Sequence, residues 1–152
     1  MVDDDLGMRE VTVLILEHEN LESRVFASAT EFLALDEHHP ASCLLLDNHM
    51  PGLSELELQV LLAQRNVRIP IVFMSGDTRA PDIVTAVKGG AYQFLQKPFT
   101  KAKLVSTIKE AQFLDLLCLG HSNKSVSSEL GISNSTVEFH RANLNKKLAP
   151  FH

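Results

Sequence analysis

No stretch of this sequence reaches the roughly 18 consecutive apolar residues that a membrane-spanning helix needs. Its opening residues, Met1 to Asp5, are acidic, the opposite of a secretory signal's positive start. Cysteine is scarce: Cys43 and Cys118 are the two, and both sit in apolar segments. They read as reduced core residues, with a Cys43–Cys118 disulfide as the alternative. Together these features lead us to expect a cytoplasmic protein. A positive excess is lacking too. Net charge is −5, which excludes a chain that binds nucleic acid through its bulk charge. The imbalance lies in residues 1–109, with 15 Asp+Glu against 10 Lys+Arg, whereas residues 110–152 hold 4 of each. There is no internal repeat, no low-complexity tract and no Gly/Ser/Pro-rich linker.

What is present suits one good core with room for a small second module: 152 residues, 45% of them hydrophobic, and a mean hydropathy of +0.03. Strand-like apolar runs fall at 22–28, 41–47, 69–75 and 92–96. Helical patterns fall between them. Residues 30–39 follow Thr30 as a cap, 54–66 begin with Ser54 and Glu57 in capping-box spacing, and 80–91 end in Gly89-Gly90. A further helix is expected over 100–112. Residues 6–18 are β-branched enough for a strand, but spacing to the next strand favours a helix. Strands alternating with such helices predict βαβ units and a parallel sheet.

In a parallel sheet the carboxyl ends of all strands share one edge. Asp3-Asp4-Asp5, Asp47, Ser75-Gly76 and Lys97-Pro98 would all stand there. Asp47 ends the apolar run Cys43-Leu44-Leu45-Leu46 and precedes Met50-Pro51-Gly52; a role as N-cap of the next helix is the plainer alternative. Carboxylates crowded together repel unless a cation lies between them, and hard oxygen donors suit Mg²⁺. Lys97 offers a positive charge to a phosphoryl oxygen and Ser75 a hydroxyl donor. A carboxylate in that company is a nucleophile towards phosphorus, its product an acyl phosphate. Singly these residues are weak signals. The ordered set, with Asp47 44 residues after Asp3, Ser75 28 further and Lys97 22 beyond, is a strong one.

The fragments VDDD, RVFASATEFL, CLLLDNHMPG, IPIVFMSG and GAYQFLQKPF resemble the receiver domain of two-component response regulators of the LuxR/FixJ type. The resemblance implies a doubly wound parallel five-stranded sheet, flavodoxin-like, over residues 1–109. It implies that Asp3 and Asp4 are the acidic pair, Asp47 the phosphoacceptor, and that His49 lends its backbone carbonyl to Mg²⁺. Ser75 matches the switch hydroxyl, Phe94 the aromatic switch position and Lys97 the phosphate-sensing lysine; the Lys97–Pro98 bond is expected to be cis. A sensor histidine kinase is the implied partner. The purpose is regulation rather than turnover, so the chain is not expected to be an enzyme.

Residues 110–152 carry the second expected domain. Helical segments at 124–130 and 135–148 flank Gly131-Ile132-Ser133-Asn134, which is helix-turn-helix spacing. Val126, Leu130, Ile132, Val137, Leu144 and Leu148 are the expected core. The string LGHSNKSVSSELGISNSTVEFHRANLNKKL resembles the LuxR-type DNA-binding motif. By that resemblance Lys124, Arg141, Asn143 and Lys146 grip the phosphate backbone, and Glu138, Phe139 and Ala142 face base edges of promoter DNA. An acid and two apolar groups imply limited hydrogen-bond readout, of a cytosine amine or a thymine methyl.

The chain departs from the family pattern in three places. Only Met1 and Val2 stand where the first strand belongs, so neighbouring backbone groups are expected to lose partners. Residues 103–112 run straight into 113–120, so the last receiver helix is expected to fuse with the first helix of the output module as a rigid joint. The sequence given also stops before the family's fourth output helix, which carries the homodimer expected on phosphorylation. Two other readings stay open. One is a truncated phosphoacceptor or adaptor without productive DNA binding. The other is a haloacid-dehalogenase-like phosphatase, against which count His49 in place of its second Asp and an acidic pair that comes first in the chain.

Overall fold

The computed structural model describes residues 1–35, 43–48, 52–67, 69–76, 93–118 and 120–148; side chains at 55, 56, 118, 140 and 143–148 are not described. Three strands, β1 (Leu44–Asp47), β2 (Ile71–Ser75) and β3 (Gln93–Gln96), form a parallel sheet in that order. Every residue of β1 and β2 is buried, which explains why these runs are continuously apolar rather than alternating. Leu44, Leu46, Ile71 and Phe73 face one core, together with Ala29, Phe32, Leu58 and Leu62. Leu45, Val72, Met74 and Leu95 face the other, with Leu16, Leu104, Ile108 and Ala111. Helices therefore cover both faces: α1 (Leu6–His18) and α4 (Lys101–Cys118) on one side, α2 (Ala29–Leu33) and α3 (Glu55–Gln64) on the other.

Among the described residues the sheet has three strands, and the positions of the expected first strand, already read as nearly absent, and of the second are held by single-residue bridges. Val2 bridges in parallel to Leu46 and to Phe26. That one residue nonetheless restores the ladder. Val2 N–H donates to Leu45 O at 2.8 Å, Asp47 N–H to Val2 O at 3.0 Å, Phe26 N–H to Met1 O at 2.9 Å and Asp3 N–H to Phe26 O at 3.1 Å. The terminal ammonium of Met1 donates to Arg24 O at 2.8 Å. The expected loss of backbone partners therefore does not occur at these groups. The run at 22–28 contributes Phe26 alone, paired with Val2.

Caps account for the helix starts. Asp5 caps α1 through Met8 N–H at 3.0 Å, and Ser54 and Glu57 form the expected capping box on α3. The α2 cap is Ser28, not Thr30; Ser28 accepts from Glu31 N–H, and Glu31 returns a bond to Ala27 N–H. Residues 6–18 form the helix that spacing favoured. The expected helix at 80–91 lies outside the described residues. Cys43 is a free thiol.

The carboxyl-terminal module consists of α5 (Asn123–Leu130) and α6 (Asn134–Leu148) packed on the end of α4. Phe113, Leu116, Val126 and Val137 form its core, with Leu130 and Ile132 partly buried against it. The side chains of Leu144 and Leu148 lie outside the described residues. Gly131 closes α5 at φ 65°, ψ 34°, the left-handed conformation that glycine adopts without strain.

Candidate functional site

The sheet register assembles the site. Asp47 pairs with Met74, and Ser75 with Gln96, so Asp47, Ser75 and Lys97 step along the carboxyl edge of three neighbouring strands. Lys97 N–H donates to Ser75 O at 2.7 Å, which ties the loop after β3 to the end of β2. The Val2 bridge places Asp3 and Asp4 on the other flank of β1. This is the point where strand order reverses, from Val2 to Phe26 on one side and from β1 to β2 on the other, and such points hold the ligand crevices of open α/β sheets.

Lys97 Nζ donates to Asp3 Oδ2 at 3.2 Å and to Asp47 Oδ1 at 3.3 Å. Asp3 is fully buried and Asp47 nearly so, whereas Asp4 is exposed. Burial alone would lower the Lys97 ammonium. The charges of Asp47 and Asp3, with their hydrogen bonds, outweigh burial and hold it above its ordinary value of 10.5. Carboxylate oxygens of Asp3, Asp4 and Asp47 all lie within 4.8 Å of one another. Hard, negatively charged oxygens at that spacing fit a divalent cation that keeps several waters, as Mg²⁺ does. His49 lies outside the described residues.

Of two supporting residues, Arg9 was not singled out from sequence and Asp5 was named only as part of the acidic run. Arg9 donates to Asp3 O at 2.6 Å, and Asp5 both caps α1 and donates its N–H to Asp3 Oδ1 at 2.9 Å. An Asp two residues after another Asp, at a helix start, is the signal that could have found this turn. Asp47 is not a helix cap, since Ser54 fills that role. Phe94 is half-buried against the α2–α3 core, in register with Phe73. The Lys97–Pro98 bond is cis.

On the output module Lys124, Glu138 and Ala142 are exposed, and Phe139 is 63% exposed, unusual for a large apolar side chain. Glu138 and Ala142, four residues apart, share a face of α6 with Phe139 beside them. Arg141 differs from expectation in being half-buried, its Nε enclosed without an acceptor. Asn143 and Lys146 lie on α6, their side chains outside the described residues. None of the described helices is long and apolar enough to cross a membrane.

With this geometry, comparison with known proteins becomes specific. Residues 1–109 match the family described as response regulator receiver domain, and residues 106–149 match the bacterial regulatory proteins of the luxR family. Nodulation protein W of Bradyrhizobium diazoefficiens is 34% identical across 97% of this chain and 78% of its own. The transcriptional regulatory protein FixJ of Azorhizobium caulinodans is 31% identical across 97% and 84%. Both alignments run over 177 positions, more than the 152 residues here, so the relatives carry residues with no counterpart in this chain. Among solved structures, the response regulator StyR superposes with a TM-score of 0.66 at 33% identity, over 97% of this chain and 89% of that one. Full-length FixJ from B. japonicum gives 0.62 at 29%, over 97% and 87%. The chain belongs to the two-component response regulators, as a receiver joined to a LuxR-type DNA-binding region.

Proposed function

We propose that this chain takes a phosphoryl group from a sensor histidine kinase onto Asp47 and regulates transcription through α6. The observation that carries the reading is Lys97 Nζ held between Asp3 and Asp47, with Asp4 completing a three-carboxylate group. An Asp47 oxygen attacks phosphorus, the bond from phosphorus to the donor's imidazole nitrogen breaks, and the imidazole leaves with that electron pair. Lys97 neutralises a phosphoryl oxygen and the Ser75 hydroxyl donates to another, both from positions already set by the strand ends. Asp3, Asp4 and Asp47, with the carbonyl of His49, are the residues to hold Mg²⁺, which screens the incoming phosphoryl charge. Phe94 is the side chain that repacks when Ser75 is drawn in. Product hydrolysis is slow, and the purpose is regulation rather than turnover, in the cytoplasm.

On the DNA side, Lys124, Arg141, Asn143 and Lys146 engage backbone phosphates, while Glu138, Phe139 and Ala142 meet base edges of promoter DNA. A carboxylate accepts from a cytosine amine, and the apolar pair suits thymine methyl groups. A homodimer formed on phosphorylation sets half-site spacing. The modules are residues 1–109 and 110–152.

Two measurements test this. Acetyl phosphate with Mg²⁺ should give an acid-stable, base-labile acyl phosphate on the parent and none on Asp47→Asn; equal signal in both refutes the site. Gel-shift titration with promoter fragments should show binding that weakens steeply with salt. No retardation at micromolar protein, phosphorylated or not, would favour the adaptor reading.

A further inference from the structure

The boundary expected between residues 109 and 110 falls inside α4, and the two family matches overlap there, at residues 106–109. Lys101–Cys118 holds neither glycine nor proline, so nothing in its sequence interrupts the helical hydrogen-bond ladder. At 18 residues it is about 27 Å long, at 1.5 Å per residue.

Its burial pattern shows how both modules use it. At about 100° per residue, Leu104, Ile108, Ala111 and Asp115 fall on one narrow stripe. The first three are buried in the receiver core. Asp115, on the same stripe, is 8% exposed. The opposite sector is exposed at Lys103, Ser106 and Lys109, then becomes Phe113 and Leu116, both fully buried in the output core, with Leu117 partly buried beside them. The receiver's footprint thus runs to Ala111 and the output footprint begins at Phe113, two residues on and on the opposite side of the same helix. A hinge between them would have to unwind α4 and strip apolar side chains from both cores.

The other end of α4 begins at the site. Lys97, bonded to both buried acids, is separated from Lys101 by Pro98, Phe99 and Thr100; Thr100 caps the helix through Lys103 N–H, and Phe99 packs into the α1–α4 core.

We propose that α4 is a single element shared by the two modules, so that receiver and helix-turn-helix move as one body and the state of Asp47 reaches α6 by displacement of α4, not by release of a hinged domain. The signalling half of this statement rests on Asp47 as phosphoacceptor; the mechanical half does not.

The test compares the full chain with a variant carrying six Gly/Ser residues inserted after Gln112, between the two footprints' centres. Amide ¹⁵N relaxation should give the parent one rotational correlation time for residues 1–109 and 120–148, and the variant two. Independent tumbling of the halves in the parent overturns the proposal, and that measurement stands even where the variant does not fold. With acetyl phosphate and Mg²⁺, hydrogen exchange in α5 and α6 should change in the parent. In the variant the change should disappear while acyl phosphate still forms. An α5–α6 response of equal size in the variant overturns displacement through α4. Absence of acyl phosphate in the parent would instead refute the proposed function, leaving the tumbling result readable.

Discussion

A lysine ammonium within 3.3 Å of two carboxylates does two jobs at once. It balances acids that the sheet has taken out of water and, on the proposed function, offers a positive surface to a third, incoming anion. Removing it takes from the fully buried Asp3 the ammonium that its carboxylate accepts from. Lys97→Met should therefore destabilise the metal-free protein by about 2 kcal/mol in urea denaturation, below the range for a wholly buried pair because Lys97 is partly exposed. Its pH dependence has a definite sign. The Lys97 pKa is raised on folding, so its contribution is fully present below the unfolded value of 10.5 and is lost as pH rises through the higher folded value. The parent's urea midpoint should fall above pH 10.5 by more than that of Lys97→Met. At this scale the sequence was informative about which residues come together, since Asp3, Asp4, Asp47 and Lys97 were all named from their order. That Lys97 bonds both acids depends on side-chain reach across three strands, which linear spacing does not encode.

Helix ends show how local chemistry sets element boundaries, and where it misleads. The Ser54–Glu57 box was legible because both partners lie within four residues. Thr30 was the expected cap of α2, but the helix opens at Ala29, so Thr30 lies inside it and Ser28, the extended residue before it at φ −149°, ψ 159°, takes the cap. In the output module the turn depends on Gly131 at φ 65°. A Cβ there would meet nothing within 4 Å, so the cost of substitution is conformational rather than steric crowding. Gly131→Ala should lower stability by about 1 kcal/mol, and Gly131→Asn by less, since asparagine tolerates the left-handed region better. Urea midpoints of the two variants, with hydrogen exchange at α5 and α6, would check both the size and the location of the effect.

For the whole molecule, charge and metal act through the acidic edge. Three carboxylates drawn together in a chain of net charge −5 repel one another, and a bound cation favours the folded state alone. MgCl₂ at ten times its dissociation constant should raise the parent's stability by about 1.4 kcal/mol, measured as a shift in urea midpoint at constant ionic strength. Asp4→Asn should reduce that shift while leaving the metal-free midpoint nearly unchanged, because Asp4 is exposed. A uniform response to magnesium in both proteins would mean that the acidic cluster does not hold the ion.

By itself the sequence determined what local physics can write: the apolar runs that become β1 and β2, the capping box, the helix-turn-helix spacing, and a set of acids, hydroxyl and lysine in a family order. The tertiary structure decided what depends on partners distant in the chain. It left the run at 22–28 a single bridge, at Phe26, where a strand was expected. It brought Lys97 between Asp3 and Asp47, and it committed opposite sides of α4 to two cores. The uninterrupted run from 103 to 120 already pointed to a fused helix, but periodicity registers how apolar each face of a helix is and not which neighbour covers it, so which side meets which core was not legible.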